Sequence, residues 1–404
     1  FLEAFESSRV VTKTVNTQLL SGKFNPSTGT KVDFKRPHDY NTIRTSGGDI
    51  SASTKSDIIA GKATGTVQDF FTAATEWENI QQALDLDQLD QILEPMARRL
   101  VTDLELDLAK FMRINTGLNY GARGTAVDAW SDVAGAGAMM DSVGVPMSDN
   151  KYYLMNPFTT TSLASAQSGL NAADGLVRTA FEKAQIASNF GGMKALTSNA
   201  LSSYTSGSTT DRLGDLKTAP DATYVTAKDT MQQTMVIETL GTGTIEAGDQ
   251  IQVAGVNRLN IATRQLILDA TGAAVPWTGT VLSVVTIAGN EATVVVSGAA
   301  IYEANGQYNN VDAAPAAGAV VTILGAAATV YQPNLFYTEQ AFGLGTVKLP
   351  KLYSTDTVAT TSDGMSIRVS KYSDGDANTQ KIRFDLLPAY AVFNPNFAGQ
   401  GYGV

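Results

Sequence analysis

Val281-Leu282-Ser283-Val284-Val285-Thr286-Ile287, a turn at Gly289-Asn290, and then Ala292-Thr293-Val294-Val295-Val296 are the residues that decide the kind of fold this chain has. Short runs rich in β-branched residues and bounded by glycine and asparagine predict strands joined by tight turns. Met235-Val236-Ile237 and Gln250-Ile251-Gln252-Val253, with a turn at Gly248-Asp249, extend the pattern upstream. All of them lie in a block rich in Thr, Val, Ala and Gly and poor in charge, from about Thr218 to Tyr331. Several such runs at close spacing predict a small antiparallel barrel or sandwich. The block interrupts a sequence of mixed helix and strand character that resumes at Pro333, so it reads as an all-β domain inserted into an α+β host. Its thin charge and buried-strand runs predict a self-sufficient core that supports folding of the host. Within the block, 313–331 is nearly uncharged, but Pro315 and Gly325 divide it, which predicts two buried strands joined by a turn in place of a membrane span.

Working upstream, the strongest helical signal is Leu86, Leu89, Leu93, Met96, Leu100, Leu104, Leu108 and Phe111, spaced by three and four residues. This predicts a long amphipathic helix. Pro95 falls inside it, which predicts either two helices meeting near Glu94 or one helix bent there. Asp103, Glu105 and Asp107 follow at two-residue spacing. Such positions diverge by about 200° around a helix, so they predict a solvated or salt-bridged face and not a carboxylate pair. Before the helix, Lys31-Val32-Asp33-Phe34-Lys35 alternates as a strand, and Thr64 to Phe71 can return as its partner. The polar excursion between them is long for a compact domain and predicts a loop resting on another subunit. Downstream, a helical stretch after Trp130 ends at Gly144, Tyr152-Tyr153-Leu154-Met155 reads as a strand, and Leu176, Val177, Ala180, Phe181 and Ala184 form a helical stripe. Near the C-terminus, Ile367 and Val369, then Ile382, Phe384 and Leu386, alternate with polar residues around an Asp374-Gly375-Asp376 turn, as a hairpin does.

Composition removes most enzymatic chemistry. The 404 residues contain no cysteine, which excludes thiolate metal sites, cysteine nucleophiles and disulfides. The single histidine, His38, follows Arg36-Pro37 in a polar turn and reads as a solvated residue. Asp374, Asp376 and Asn378 have part of a calcium-loop spacing, yet Thr379 stands where that loop needs glycine, so they are a weak metal candidate only. Gly241-Thr242-Gly243 and Gly343-Leu344-Gly345 lack the third glycine of a dinucleotide fingerprint, and no P-loop or nucleophile elbow is present. No cofactor, catalytic residue or enzymatic activity is expected. The 29 basic and 39 acidic residues give a net charge of −10, which opposes tight binding to a phosphate backbone. A hydrophobic fraction of 43% with 17% charged residues and a mean hydropathy of −0.04 fits a folded, non-membrane chain of two to four folding units.

Six collinear segments carry a family likeness. They are Phe34-Lys35-Arg36-Pro37-His38, Gly61-Lys62-Ala63-Thr64-Gly65, Val101-Thr102-Asp103-Leu104-Glu105, Asn189-Phe190-Gly191-Gly192, Pro333-Asn334-Leu335-Phe336-Tyr337 and 383–390, ending in Leu387-Pro388-Ala389-Tyr390. Through nearly the whole chain the sequence resembles the major coat proteins of short-tailed lambdoid bacteriophages. The resemblance implies the capsid fold shared by tailed phages and herpesviruses: an N-terminal arm at 1–24, an extended loop at 25–75, a peripheral domain with a spine helix at 76–150, and a first part of the axial domain at 151–205. It further implies an inserted immunoglobulin-like domain at 206–338 and the remainder of the axial and peripheral domains at 339–404. A loop that joins capsomers in relatives falls near Lys228-Asp229 and is short here.

The same resemblance implies an icosahedral shell of hexamers and pentamers around double-stranded DNA, made in the host bacterial cytoplasm as a scaffold-assisted precursor that expands on maturation. Expected partners are copies of this chain, a scaffolding protein, a portal and packaged DNA bound without sequence specificity. Lys31, Lys35, Arg36 and Arg44 on the loop are expected to pair with acidic residues of a neighbour, with Glu94, Asp103, Glu105 and Asp107 as candidates and Pro95 as a hinge. The alternative is a secreted or surface-array β protein of the adhesin or S-layer type, which shares low charge, no cysteine and Thr/Ala/Gly-rich β modules.

Overall fold

The computed structural model describes residues 2–20, 29–78, 89–168, 183 and 186–404. The helical stripe expected at 176–184 falls almost wholly outside the described residues. The chain forms two compact units, one of residues 1–33, 64–111 and 342–393, the other of residues 34–63, 112–341 and 394–404.

From Leu89 on, the periodic apolar residues do form a long helix, Leu89–Ile114, which continues through Pro95 as one element; Leu86 lies outside the described residues. Leu100, Leu104 and Leu108 are buried, as the three- and four-residue spacing requires. A four-stranded antiparallel sheet runs in the order Thr357–Thr360, Ser366–Asp374, Thr379–Leu386, Phe71–Glu78. Its central hairpin pairs Arg368 with Asp385 and Val369 with Phe384. The side of that hairpin read as polar is buried at Arg368, Ser370 and Asp385 and half-exposed at Lys381 and Arg383: Arg368 donates to Asp385 at 2.6 Å, and the Asp385 side chain is fully enclosed. A second sheet orders Lys31–Lys35, Lys62–Val67, Pro388–Val392 and Phe342–Thr346.

The N-terminal residues pack into the first unit as a short helix, Leu2–Ser7, and two 3-10 turns that bury Phe5, Val11, Val15 and Leu19. Asn16 bonds the strand at Phe342 and Leu344 through its backbone at 2.9 Å each. Here Gly343 and Gly345 have a steric reason: a Cβ on Gly345 would lie 2.5 Å from Leu19, and one on Gly343 would lie 2.5 Å from Phe393.

In the second unit a six-stranded mixed sheet runs Leu118–Tyr120, Ala398–Gly401, Asn334–Thr338, Lys151–Met155, Met193–Thr197, Asn189–Phe190. The helix Trp130–Val143 ends at Gly144, whose φ of +105° only glycine adopts at low cost. Val133, Ala136 and Met140 from that helix share a core with Tyr153, Met193 and Phe336 of the sheet.

The inserted block is a closed barrel of Gln232–Glu238, Ala292–Ser297, Pro276–Val281, Gln250–Asn257, Val320–Ile323 and Leu213–Leu216, so the barrel-or-sandwich alternative resolves to a barrel. Closure leaves no strand edge open to another chain. Ile237, Ile251, Trp277, Val294, Val296 and Ile323 fill it, with Trp277 donating its ring N–H to the Gly298 carbonyl at 2.9 Å. The run Val281 to Ile287, expected as one strand, is divided. It ends one barrel strand at Val281 and restarts as Val285–Thr286 paired with Thr244–Ile245, with Val284 exposed between. The 313–331 stretch supplies the strands Val320–Ile323 and Val330–Tyr331, and no described helix is long and apolar enough to cross a membrane.

Candidate assembly residues and the barrel junction

The three carboxylates of the long helix have three different environments. Asp103 pairs with Arg99 one turn earlier at 3.0 Å and stays on the surface, as Glu94 does with Arg98 at 2.5 Å. Asp107 accepts from the buried Tyr390 hydroxyl at 3.0 Å. Burial, together with that carboxylate, pushes the Tyr390 phenol far above its ordinary value.

Glu105 is buried, which corrects the expectation of a solvated or salt-bridged position. Its Oε1 receives the backbone N–H groups of Val10, Val11 and Thr12 and the Thr12 hydroxyl. Desolvation raises the Glu105 carboxyl above the usual range, and the donated hydrogen bonds reduce that rise without cancelling it. The carboxylate therefore anchors the N-terminal turn from inside the unit. A second anchor lies nearby in sequence: buried Arg9 grips Asp363 with two parallel bonds of 3.0 and 2.6 Å.

Lys31, Lys35 and Arg44 are exposed and form no ion pair with a described residue. Arg36 is partly buried and donates from Nε to the Lys62 carbonyl at 3.1 Å, so its side chain is committed within its own chain. Pro95 is exposed and lines a groove of about 510 Å³ with Met96, Arg99 and Leu100 of its helix and Phe71 to Ala74 of the neighbouring strand. Asp374 turns back on its hairpin, accepting from the Asp376 and Ala377 amides at 3.2 and 3.3 Å, and Asn378 takes a φ of +52°. That carboxylate serves the turn. Among the described residues no group of three or more metal-ligating side chains converges.

Sequence reading missed the polar junction at the barrel's base. Arg258 is fully buried and has no carboxylate partner among the described residues. It donates to the Gly117 and Thr278 carbonyls, the Thr278 hydroxyl and Asn396. Burial pushes its guanidinium down to about 9, so it remains a cation at neutral pH. Arg123 binds the Tyr204 hydroxyl, the Gly248 carbonyl and Gln400, and lies 5.7 to 5.9 Å from the ring centres of Tyr204, Tyr331 and Tyr402. Arg113 stacks 4.2 Å over Tyr204. Gln250 adds a 3.0 Å bond to the Leu118 carbonyl, and Thr278 one of 2.9 Å to Gly117. Buried polar networks of this kind fix relative orientation more than they add stability. Ala247-Gly248-Asp249-Gln250-Ile251 is the turn and strand start that meet this junction. An arginine directly after the strand Gln250–Asn257, between the apolar Val256 and Leu259, was the available signal.

Comparison with known proteins gives a consistent answer. A family model described as "P22 coat protein - gene protein 5" matches residues 1–403. The chain is 47% identical over 408 residues to a protein named "Major capsid protein" from Acyrthosiphon pisum secondary endosymbiont phage 1, covering all of this chain and 96% of that protein. Among solved structures it is similar to the capsid of Cyanophage P-SCSP1u at a TM-score of 0.47 and 13% identity, over 99% of this chain and 88% of that one. The capsid of Ralstonia phage GP4 gives a TM-score of 0.46 at 8% identity, over 97% and 90%.

Proposed function

The chain belongs to the P22 coat protein family and is a major capsid protein of a bacteriophage; from that premise we propose how it builds its shell. The match across essentially the whole length, inserted barrel included, is the observation that carries this reading. Copies assemble as hexamers and pentamers into a closed icosahedral shell, so each subunit offers several distinct surfaces to its neighbours. Standard interfaces bury roughly 1,200 to 2,000 Å² each, and many modest contacts sum through multivalency into a durable particle.

A scaffolding protein guides the precursor shell, a portal occupies one vertex, and the shell expands around DNA held without sequence-specific contacts. The net charge of −10 favours a wall that does not trap the genome. Assembly takes place in the bacterial cytoplasm. No chemistry is asked of the subunit: its work is geometric.

Of the four loop cations named above, Lys31, Lys35 and Arg44 are the exposed ones that can pair with a neighbour. Glu94 and Asp103 are the accessible partners on the long helix, at 50% and 36% side-chain exposure, because Glu105 and Asp107 are committed internally. Each exposed pair contributes only about 0 to 1 kcal/mol, but it repeats at every subunit. The triple charge reversal Lys31→Glu, Lys35→Glu, Arg44→Glu, co-expressed with the scaffolding protein, is expected to leave soluble subunits and abolish closed shells on a sedimentation gradient. A normal yield of shells would refute the pairing.

A further inference from the structure

We propose that the inserted barrel domain is the seat of the extended loop: within one subunit it grips both limbs of the chain between residues 36 and 62. The loop's tip, with Tyr40, Ile43 and Ile50 exposed, is thereby presented to a second copy of this chain. The presentation to a second copy rests on the shell reading above, whereas the grip itself does not.

On the outgoing limb, Asp39 receives a charged hydrogen bond from Arg264, a residue of the inserted block. Arg264 is itself fixed by donating to the Asn309 carbonyl at 2.6 Å and to the Gln307 carbonyl. Its φ of +57° is uncommon for a residue with a Cβ and is held by these bonds. Two residues on, the Asn41 side chain donates to the Asn305 carbonyl at 2.7 Å.

The returning limb is held as closely. Gln307 donates its side-chain amide to the Asp57 carbonyl at 2.6 Å. Ile59 packs on a core of Tyr224, Ala227, Met231, Ala299 and Ile301, capped by Tyr308, which stacks on Tyr224 at 3.6 Å. Gly61 passes so near that a Cβ would lie 2.8 Å from the Lys228 carbonyl oxygen and 3.0 Å from the Tyr224 hydroxyl. Lys62 then donates its backbone N–H to Asp229 at 3.2 Å. The limbs are joined to each other by Arg36, through its N–H to Gly61 and its guanidinium to Lys62.

Two limbs of a polar loop gripped at six points on one surface are an interface, since chance contacts would not pair side chains with backbone on both limbs. Ordering the limbs also shortens the segment left free, which lowers the entropy lost when the tip docks. The Lys228-Asp229 segment thus contributes to the seat of this chain's own loop.

The chain has no cysteine, so Asn41→Cys with Asn305→Cys introduces the only two thiols. A short thiol-to-thiol crosslinker applied to the unassembled subunit is expected to give an intrachain product that migrates as a monomer. Crosslinks found only between copies, or none in the free subunit, would overturn the seat and leave the shell reading standing. Hydrogen exchange supplies a second test in wild type and Arg264→Met. The wild type is expected to protect the amide of Lys62, and the variant to exchange residues 39–43 and 57–62 at least tenfold faster with barrel strands unchanged. Equal exchange in the two proteins would also refute the grip.

Discussion

Glu105 shows how a single residue decides whether a segment belongs to a fold. Three backbone N–H groups and a hydroxyl converge on one carboxylate oxygen, so the residues after the short N-terminal helix are tied to the long helix by side-chain chemistry. Hydrogen bonds to a buried charged acceptor are worth about 1.5–3 kcal/mol, and Glu105→Ala is expected to destabilise the subunit by about that amount. Glu105→Gln keeps an acceptor and is expected to cost about 1 kcal/mol or less at neutral pH. The pH dependence has a definite sign. Desolvation places the folded carboxyl above its unfolded value, so the stability linked to its protonation is complete below the unfolded value and is lost as pH rises through the folded one. Denaturant unfolding across that window should show Glu105→Gln gaining on the wild type as pH rises; parallel curves would contradict this account of the anchor.

The long helix Leu89–Ile114 carries Pro95 as its seventh residue, where the missing N–H cannot reach back to the preceding turn. A proline in a helix interior costs about 3 kcal/mol relative to alanine, so its retention here asks for a function. Pro95 is exposed beside the groove to the strand Phe71–Glu78, and we propose that it lets the helix flex when the shell expands. Pro95→Ala is expected to raise the subunit's unfolding free energy by up to about 3 kcal/mol and to slow expansion of precursor shells, followed by agarose-gel mobility on heating. Stabilised subunits whose shells expand at the wild-type rate would make Pro95 incidental to expansion.

Elements of this kind were legible because their signals are local. The leucine spacing, the alternation at Lys31–Lys35 and the stop at Gly144 all lie in neighbouring residues. Glu105 was misread because its partners lie 93 to 95 positions away in a turn that no helical periodicity encodes. Arg258 was missed for the same reason: its acceptors at Gly117 and Asn396 are 141 and 138 positions distant.

At the scale of the whole molecule, the charge-poor block from Thr218 to Tyr331 pointed to a barrel or a sandwich, and its strands, with Leu213–Leu216 just upstream, close as a barrel on an apolar core. The turn chemistry and β-branched runs that announce such a domain are short-range. The surface it offers to the loop at residues 36–62 depends on pairings such as Asp39 with Arg264, which become visible only once the chain has folded. The surface-array alternative shared the same low charge and β modules, and it was the family match over residues 1–403 that set it aside. What composition could establish was negative, the absence of thiol and multi-histidine chemistry; the positive identity came from many weak, collinear segments.

The central claim is that this chain closes into a shell. Electron microscopy of the protein expressed with and without its scaffolding partner tests that directly. The account predicts uniform closed icosahedral particles with the scaffold, and aberrant or open assemblies without it. Flat arrays, fibres or permanently monomeric protein under both conditions would contradict it.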